Sequence, residues 1–581
     1  MKIIKEILER AIKQLSLPSV KFSVDHPKEE KNGDYSTNLA LLLAKQMGKS
    51  PREVAEKIVE KMQECMNAEM QKSIEKIEVA GAGFINFYLK QEFFLGEAKK
   101  ASEAGYGRNE SLGGKKTMVE FTDPNPFKEF HIGHLMSNTI GESLARILEA
   151  NGATVKRACY QGDVGLHVAK SVWGMGKMLD ARRQTLVDLQ GQSLQERQKF
   201  MGEAYAYGAT KCETDETAKS EINELNAVIY KRTNAEINEI YDLGRKWSLE
   251  YFETIYQRLG TKFDEYFFES EAGSVGLEVV EEGLRKGVLE LGEQGAVIYR
   301  GEKDGMHTRV FRNKLGLPTY EAKDLGLAKT KYGRYKYDLS YIVTANEITE
   351  YFKVVLRVME QLYPELCAKT THMPHGMMKL KTGKMSSRTG VVVTGEGLLN
   401  DLKEAVITKM GEREIKEKGL VADIVAVGAL KYTVLKQAIG GDIVYEPEKM
   451  TNLEGSTGPF IQYTYARAKS ILRKFENLNN KSETNSNFEI LISNLKIQEL
   501  ALLRWLYRYP EVVAEAAKSY APQLIATYIF ELAARFNTFY QACRVEEEGK
   551  VNSLRYLLTQ ATANVLKNGL GLLGIVAPEE M

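Results

Sequence analysis

The chain of 581 residues has almost no net charge: 79 Lys and Arg stand against 78 Asp and Glu, a balance of +1. That excludes a molecule coated in positive charge, so a nucleic acid can be held only on a local basic surface. Cysteine is scarce and scattered. Cys65, Cys159, Cys212, Cys367 and Cys543 form no CxxC pair, which argues against a disulfide framework or a zinc knuckle and fits reduced, buried thiols in a cytoplasmic protein. No run of 18 apolar residues occurs, so no membrane span is expected. The stretch Met1 to Arg10 alternates charged and apolar residues, the pattern of an amphipathic helix rather than a signal peptide. What is present, 43% hydrophobic and 27% charged residues over this length, suits a globular protein of several domains.

One stretch organises the rest. Thr117 to Phe121 is a β-rich run, Pro124 and Pro126 interrupt it, and His131 to Asn151 has helical periodicity. The order is strand, turn, helix. His131 and His134 then lie one turn apart at a helix start, where unpaired N–H groups and the dipole attract phosphate, and Gly133 allows close approach. Two imidazoles there can donate hydrogen bonds to the phosphate oxygens of a pentavalent transition state, chemistry suited to nucleotidyl transfer from ATP. On the residues alone, zinc ligation, which needs a third ligand, and plain helix packing stay open.

Far downstream, Leu380 to Gly390 is a basic loop bracketed by glycines. Its Lys384 and Arg388 suit a mobile clamp on pyrophosphate, or a solvated turn. In this order the two stretches resemble the HIGH and KMSKS signatures of class I aminoacyl-tRNA synthetases. The wider setting is more specific. Val119-Glu120-Phe121 before Pro124-Asn125, Lys128 just before His-Ile-Gly-His, and Gln161-Gly162-Asp163-Val164-Gly165 are similar to arginyl-tRNA synthetases in particular, and the resemblance runs over essentially the whole chain.

The expected fold class is α/β, a Rossmann-like parallel-sheet catalytic domain with an N-terminal α+β domain, a helical insertion and a C-terminal all-α anticodon-binding domain. The divisions expected are 1–108, which in the family contacts the tRNA elbow; 112–400, with the insertion at about 169–259; and 405–581. Within 1–108, helices are expected from Ser36 and Pro51, and Gly105 to Lys116 reads as a linker. Strands Thr117 to Phe121 and Thr154 to Tyr160 open the catalytic sheet. Ala296 to Arg300 and Thr308 to Phe311 are expected to resume it after the insertion, with ligands at the carboxyl ends of strands.

The resemblance implies an arginine–tRNA ligase. L-Arginine and ATP with Mg2+ would give arginyl-adenylate, and the acyl group would pass to the terminal ribose of the arginine tRNA, without a covalent enzyme intermediate and with bound tRNA ordering the site. His131, His134, Lys128 and Lys384 would be catalytic. His131, Gly133, His134, Lys384, Met385, Ser386 and Arg388 would bind ATP. Glu120, Asn125, Tyr320 and Asp324 would hold arginine, whose guanidinium suits a carboxylate. Tyr463, Arg467, Asn537, Tyr540, Arg544 and Met581 would meet the tRNA, and no resident metal is implied. A cytoplasmic monomer is expected. Structural alternatives remain for single residues: Asp324 as a helix-dipole partner, Tyr320 and the aromatics Phe536 to Tyr540 as core.

Three positions depart from the family pattern. Ala345 to Phe352 lacks the usual Gln, Val164 replaces a usual Trp, and Ser387 stands where the second signature lysine belongs. Lys128 or Arg388 would then supply the missing charge. A synthetase for another amino acid and a non-catalytic tRNA-binding paralogue are the competing readings.

Overall fold

The computed structural model describes residues 2–380, 394–412, 414–479, 495–547 and 550–581. The basic loop with Lys384, Met385, Ser386, Ser387 and Arg388, and most of the polar run after Glu476, therefore lie outside the described residues. The chain forms two compact units, one of residues 108–463, 513–527 and 569–581, the other of 1–107, 464–512 and 528–568.

The first unit holds a five-stranded sheet in the order Thr370–His375, Leu339–Ala345, Lys116–Glu120, Thr154–Gln161, Glu265–Phe268, parallel throughout. The strand formed first in sequence is thus central. The chain adds two strands on one side, then returns to add two on the other. Where strand order reverses, the connections diverge and leave a crevice at the carboxyl ends, here beside Glu120. Thr117 to Glu120 are buried on both faces, as a parallel sheet covered on both sides requires. Helices Glu269–Arg285, Tyr320–Arg334 and Thr349–Leu362 contribute Val279, Leu325 and Val355 to a core shared with Met118, Ala158 and Phe267 of the sheet. Each such side chain contributes roughly 1.5–3 kcal/mol by leaving water.

Helix Ile132–Ala150 has 16 of its 19 residues buried, so it is an interior helix rather than a surface one. It stops at Asn151 and Gly152. Gly152 has φ +92°, and a Cβ there would lie 2.6 Å from Glu110 Oε2, so the turn demands glycine. Between the second and third strands, helices Leu166–Arg182, Leu194–Thr214, Glu216–Lys231 and Ala235–Leu259 build the expected helical insertion around Val172, Phe200, Ile240 and Trp247.

Two expectations fail. Val297–Tyr299 and Arg309–Arg312 do not resume the parallel sheet; they pair antiparallel with one another, and with Glu290–Leu291 make a separate three-stranded sheet. Only the one-turn segment Gly301–Asp304 and a few residues connect them, and parallel neighbours need a crossover of a dozen residues or more. The helix expected from Ser36 starts at Leu39, because Tyr35–Thr37 is a strand paired with Ile85 to Phe87.

In the second unit the amino-terminal sheet is antiparallel, in the order Val24–Asp25, Tyr35–Thr37, Phe84–Leu89, Ile74–Ala80. Helices Lys2–Gln14, Leu39–Met47 and Pro51–Cys65 accompany it. Its Asp34 and Tyr35 are fully buried. Tyr35 donates its hydroxyl to Glu511 at 2.6 Å, His26 Nε2 meets the other oxygen of Glu511 at 3.0 Å, and Arg504 pairs with Asp34 at 3.0 Å. A polar network thus joins the amino-terminal sheet to the carboxy-terminal helices within this unit.

Candidate active site

The connection from the central strand to helix Ile132–Ala150 carries three non-glycine residues with left-handed backbone: Thr122 at φ 80°, Asp123 at 47° and Phe127 at 66°. Such positions cost of order 1 kcal/mol each and persist only where the surroundings dictate them. They do here. Thr122 N–H donates to Ser137 Oγ at 2.9 Å, Phe127 N–H to Ser248 Oγ at 2.9 Å, and Tyr160 N–H to Asp123 Oδ1 at 2.8 Å. The strained turn delivers His131 to the N-cap of the helix.

His131 and His134 stack, ring centroids 3.6 Å apart at 18°. Gly133 N–H donates to His131 Nδ1 at 3.1 Å, and His131 N–H donates to His134 Nδ1 at 3.1 Å. With each Nδ1 accepting, each neutral ring carries its proton on Nε2. Both rings are neutral at physiological pH: crowding by the chain and then the Lys128 ammonium lower the His131 pKa to about 4, and burial drives His134 well below its usual value. The pair is therefore a fixed set of two N–H donors at a helix start. It is not a general base.

Lys128 is half-buried, with its ammonium 5.9 Å from the Tyr205 ring. Burial lowers its pKa, Glu269 raises it and Lys170 lowers it. Thr394, the described residue after the basic loop, forms an isolated antiparallel bridge with His131, and Gly395 N–H donates to Phe130 O at 2.6 Å. Before the loop, Met378–Leu380 pairs in parallel with Ile443–Tyr445. The loop's return end is thus fastened to the histidine N-cap.

Glu120 ends the central strand, and its carboxylate accepts a hydrogen bond from the Lys331 ammonium in a fully buried ion pair. Asp324 receives the Tyr351 hydroxyl at 2.5 Å. Burial first, with repulsion from Glu120 and Glu269, pushes the Asp324 pKa to about 7. Burial and the charge of Glu120 likewise raise Asp123 well above the carboxylate range. Neither Asp123 nor Asp324 forms an ion pair among the described residues. Tyr320 is 61% exposed at the start of the same helix, which removes it from the core. A Cβ on Gly162 would lie 2.1 Å from Asn125 Oδ1 and 3.2 Å from Glu269 Oε1, so the Asn125 amide rests against Gly162 beside Glu269.

Apart from Asp163, which belongs to the Gln161-to-Gly165 motif, several residues of this crevice were not singled out from the sequence. Lys323, buried, bonds Glu269 at 2.6 Å; Asp163 accepts from Ser270 and Tyr241 and meets Arg245 at 3.0 Å; Lys331 and Tyr351 engage the acidic group. For Lys331 a signal existed. Tyr320, Asp324 and Lys331 stand at i, i+4 and i+11, one helical face.

The residues expected to meet tRNA divide between the two units. In the first, Tyr463 and Met581 line one small cavity with Met410 and Pro459. In the second, exposed Arg467 lies 5.8 Å from the Tyr540 ring, Asn537 donates to Thr464 Oγ1 at 3.2 Å, and the Arg544 carbonyl accepts from Arg555 at 2.7 Å. Phe536 and Phe539 are buried core.

Comparison with known proteins bears on these sites. The family model for the arginyl-tRNA synthetase N-terminal domain matches residues 2–89, that for the class I tRNA synthetase (R) catalytic domain matches 101–446, and that for the DALR anticodon-binding domain matches 461–581. The arginine–tRNA ligase of Porphyromonas gingivalis is 31% identical over 80% of each chain, and that of Flavobacterium psychrophilum 30% identical over 86% of this chain and 85% of its own. The solved arginyl-tRNA synthetase of Thermus thermophilus superposes with a TM-score of 0.78 over 100% of both chains at 24% identity; that of Plasmodium falciparum gives 0.77 over 100% and 99% at 21%. These two likenesses show the fold.

Proposed function

Because the chain belongs to the arginyl-tRNA synthetases of class I, we propose that it activates arginine with ATP in the crevice beyond Glu120 and His131. The overall reaction is the charging of tRNA with arginine, with ATP consumed. The observation that carries the site is the His131–His134 pair, two neutral rings whose Nδ1 atoms are occupied by backbone N–H groups.

An arginine carboxylate oxygen attacks the α-phosphorus of ATP, the bond to the bridging oxygen breaks, and pyrophosphate leaves. Charge builds on the phosphate oxygens. The Nε2–H groups of His131 and His134 and the Lys128 ammonium donate to that charge from fixed positions, which lowers the barrier without reorganisation. Lys384, with Met385, Ser386 and Arg388, completes the clamp from the loop. Lys128 supplies the charge that Ser387 lacks. A hydroxyl of the terminal ribose then attacks the acyl carbon and AMP leaves. Mg2+ enters as part of the ATP substrate, since it suits phosphates with few protein ligands.

Asp324 reads the guanidinium, Glu120 supports it, Tyr320 closes over the substrate and Asn125 holds it near the reacting carboxylate. Tyr463, Arg467, Asn537, Tyr540, Arg544 and Met581 serve the tRNA. The working parts are 1–108, 112–400 and 405–581, in a cytoplasmic monomer whose state sedimentation with and without tRNA tests. ATP–pyrophosphate exchange with each of the twenty amino acids, with and without total tRNA, is the direct trial. Exchange with arginine only when tRNA is present supports the reading. Exchange with another amino acid reassigns the pocket.

A further inference from the structure

We propose that Lys331 is a positioning residue for arginine: by holding Glu120 in a buried ion pair at the pocket floor, it leaves Asp324 as the carboxylate that meets the guanidinium and limits the pocket to one incoming positive charge. The proposal rests on the arginine pocket described above. Lys331 lies two turns beyond Asp324 on the same helical face, about 10 Å along the axis, and its side chain leans back toward the helix start and the crevice. Both members of the pair are almost wholly buried, at 1% for Lys331 and 4% for Glu120, so neither is a solvated surface charge.

Charge counting gives the ammonium its task. Glu120 from the central strand, Asp123 from the connection and Asp324 from helix Tyr320–Arg334 are mutually repelling carboxyls, and Lys331 acts on all three. The other ionisable groups facing them are Tyr351, bonded to Asp324; Tyr160, which feels Glu120 and Asp324; Tyr337, which feels Lys331 and Glu120; Cys159, which feels Asp123; and Glu269, already bonded to Lys323. Without Lys331 the Glu120 carboxylate would be buried with no cation, and burial disfavours the charged form. An arriving guanidinium would then have one more buried acid to satisfy than in the unmodified enzyme, and would be drawn away from Asp324.

Calorimetry of L-arginine binding in buffers of different ionisation enthalpy counts the protons released. At neutral pH the Lys331→Met variant is expected to release about one proton more than the unmodified enzyme and to bind arginine at least tenfold more weakly, while Lys331→Arg restores both. Wild-type proton count and affinity in Lys331→Met would overturn the proposal. If Lys331→Met does not fold, Glu120→Gln and the double variant Glu120→Gln/Lys331→Met carry the test: the second substitution should recover affinity lost by the first, and no recovery overturns the proposal. Failure of arginine to bind the unmodified enzyme defeats the pocket assignment itself, a separate result.

Discussion

Two half-buried acids, Glu511 in the second unit and Asp324 in the first, were given opposite treatment by the fold. Burial raises the pKa of Glu511, but a hydrogen bond from His26, then the positive amino terminus, then the Tyr35 hydroxyl outweigh it and leave the carboxyl at about 2. Asp324, also enclosed, is held at about 7, with other carboxyls for neighbours and a tyrosine hydroxyl for a partner. A satisfied buried charge belongs to the architecture. An acid that the protein leaves without a cation suits one from outside, which is the role proposed for Asp324 toward the guanidinium of arginine. The strained turn at Thr122, Asp123 and Phe127 lies on the same side of this contrast, since it too is maintained only by the residues that shape the crevice.

Substituting each acid should separate the two roles most sharply. Asp324→Asn is expected to lower kcat/KM for arginine by about a thousandfold, the loss of a charge-assisted pair worth roughly 4 kcal/mol, with the melting temperature held or slightly raised. Steady-state pyrophosphate exchange and a thermal melt check both halves. A large drop in stability would move Asp324 to the architectural class.

Glu511→Ala should do the reverse. It strands the Tyr35 hydroxyl and His26 and is expected to cost about 2–4 kcal/mol in denaturant unfolding, with arginine-dependent exchange unchanged. Lost exchange in a folded Glu511→Ala protein would break the comparison.

Titration should distinguish them next. Glu511 has a depressed folded pKa, so its contribution is full above its ordinary value of 4.5 and is lost as pH falls toward 2. Asp324 has a raised one: between its ordinary 3.8 and about 7 the folded protein holds an extra proton, and the ionised site disfavours folding above that range. Guanidinium binding needs the ionised form. The KM for arginine should therefore fall about tenfold between pH 6 and pH 8, with kcat followed separately. A flat profile would remove Asp324 as the titrating reader.

The smallest effect is steric. Gly162→Ala puts a Cβ 2.1 Å from the Asn125 amide oxygen, and overpacking of this kind costs about 1–3 kcal/mol. Arginine KM should rise several-fold while kcat changes less. An unchanged KM would separate Asn125 from the substrate.

Much of the first unit was legible in its sequence, for local reasons. A β-rich run, two prolines and a glycine-stopped helix specify strand, turn and helix over Lys116–Glu120 and Ile132–Ala150 without reference to anything distant. The charged helical insertion also declared itself by its periodicity. Pairing did not. Val297–Tyr299 and Arg309–Arg312 were read correctly as strands and assigned to the wrong sheet, because a short β-run says nothing about its neighbour. The Glu120–Lys331 pair joins residues 211 positions apart, and a lysine in a charged helix resembles any solvated one until the fold buries it. Asp34 and Tyr35 raise the same difficulty: nothing local in a Gly-Asp-Tyr-Ser stretch shows that its side chains are interior partners of Arg504 and Glu511.

Below about pH 7 Asp324 is held protonated, and arginine binding is expected to take that proton away. Infrared difference spectroscopy on adding L-arginine near pH 6 measures that directly. Loss of a protonated-carboxyl band and gain of a carboxylate band are expected, both absent in Asp324→Asn. Arginine binding with no change in the carboxyl region, or the same change in Asp324→Asn, would contradict it.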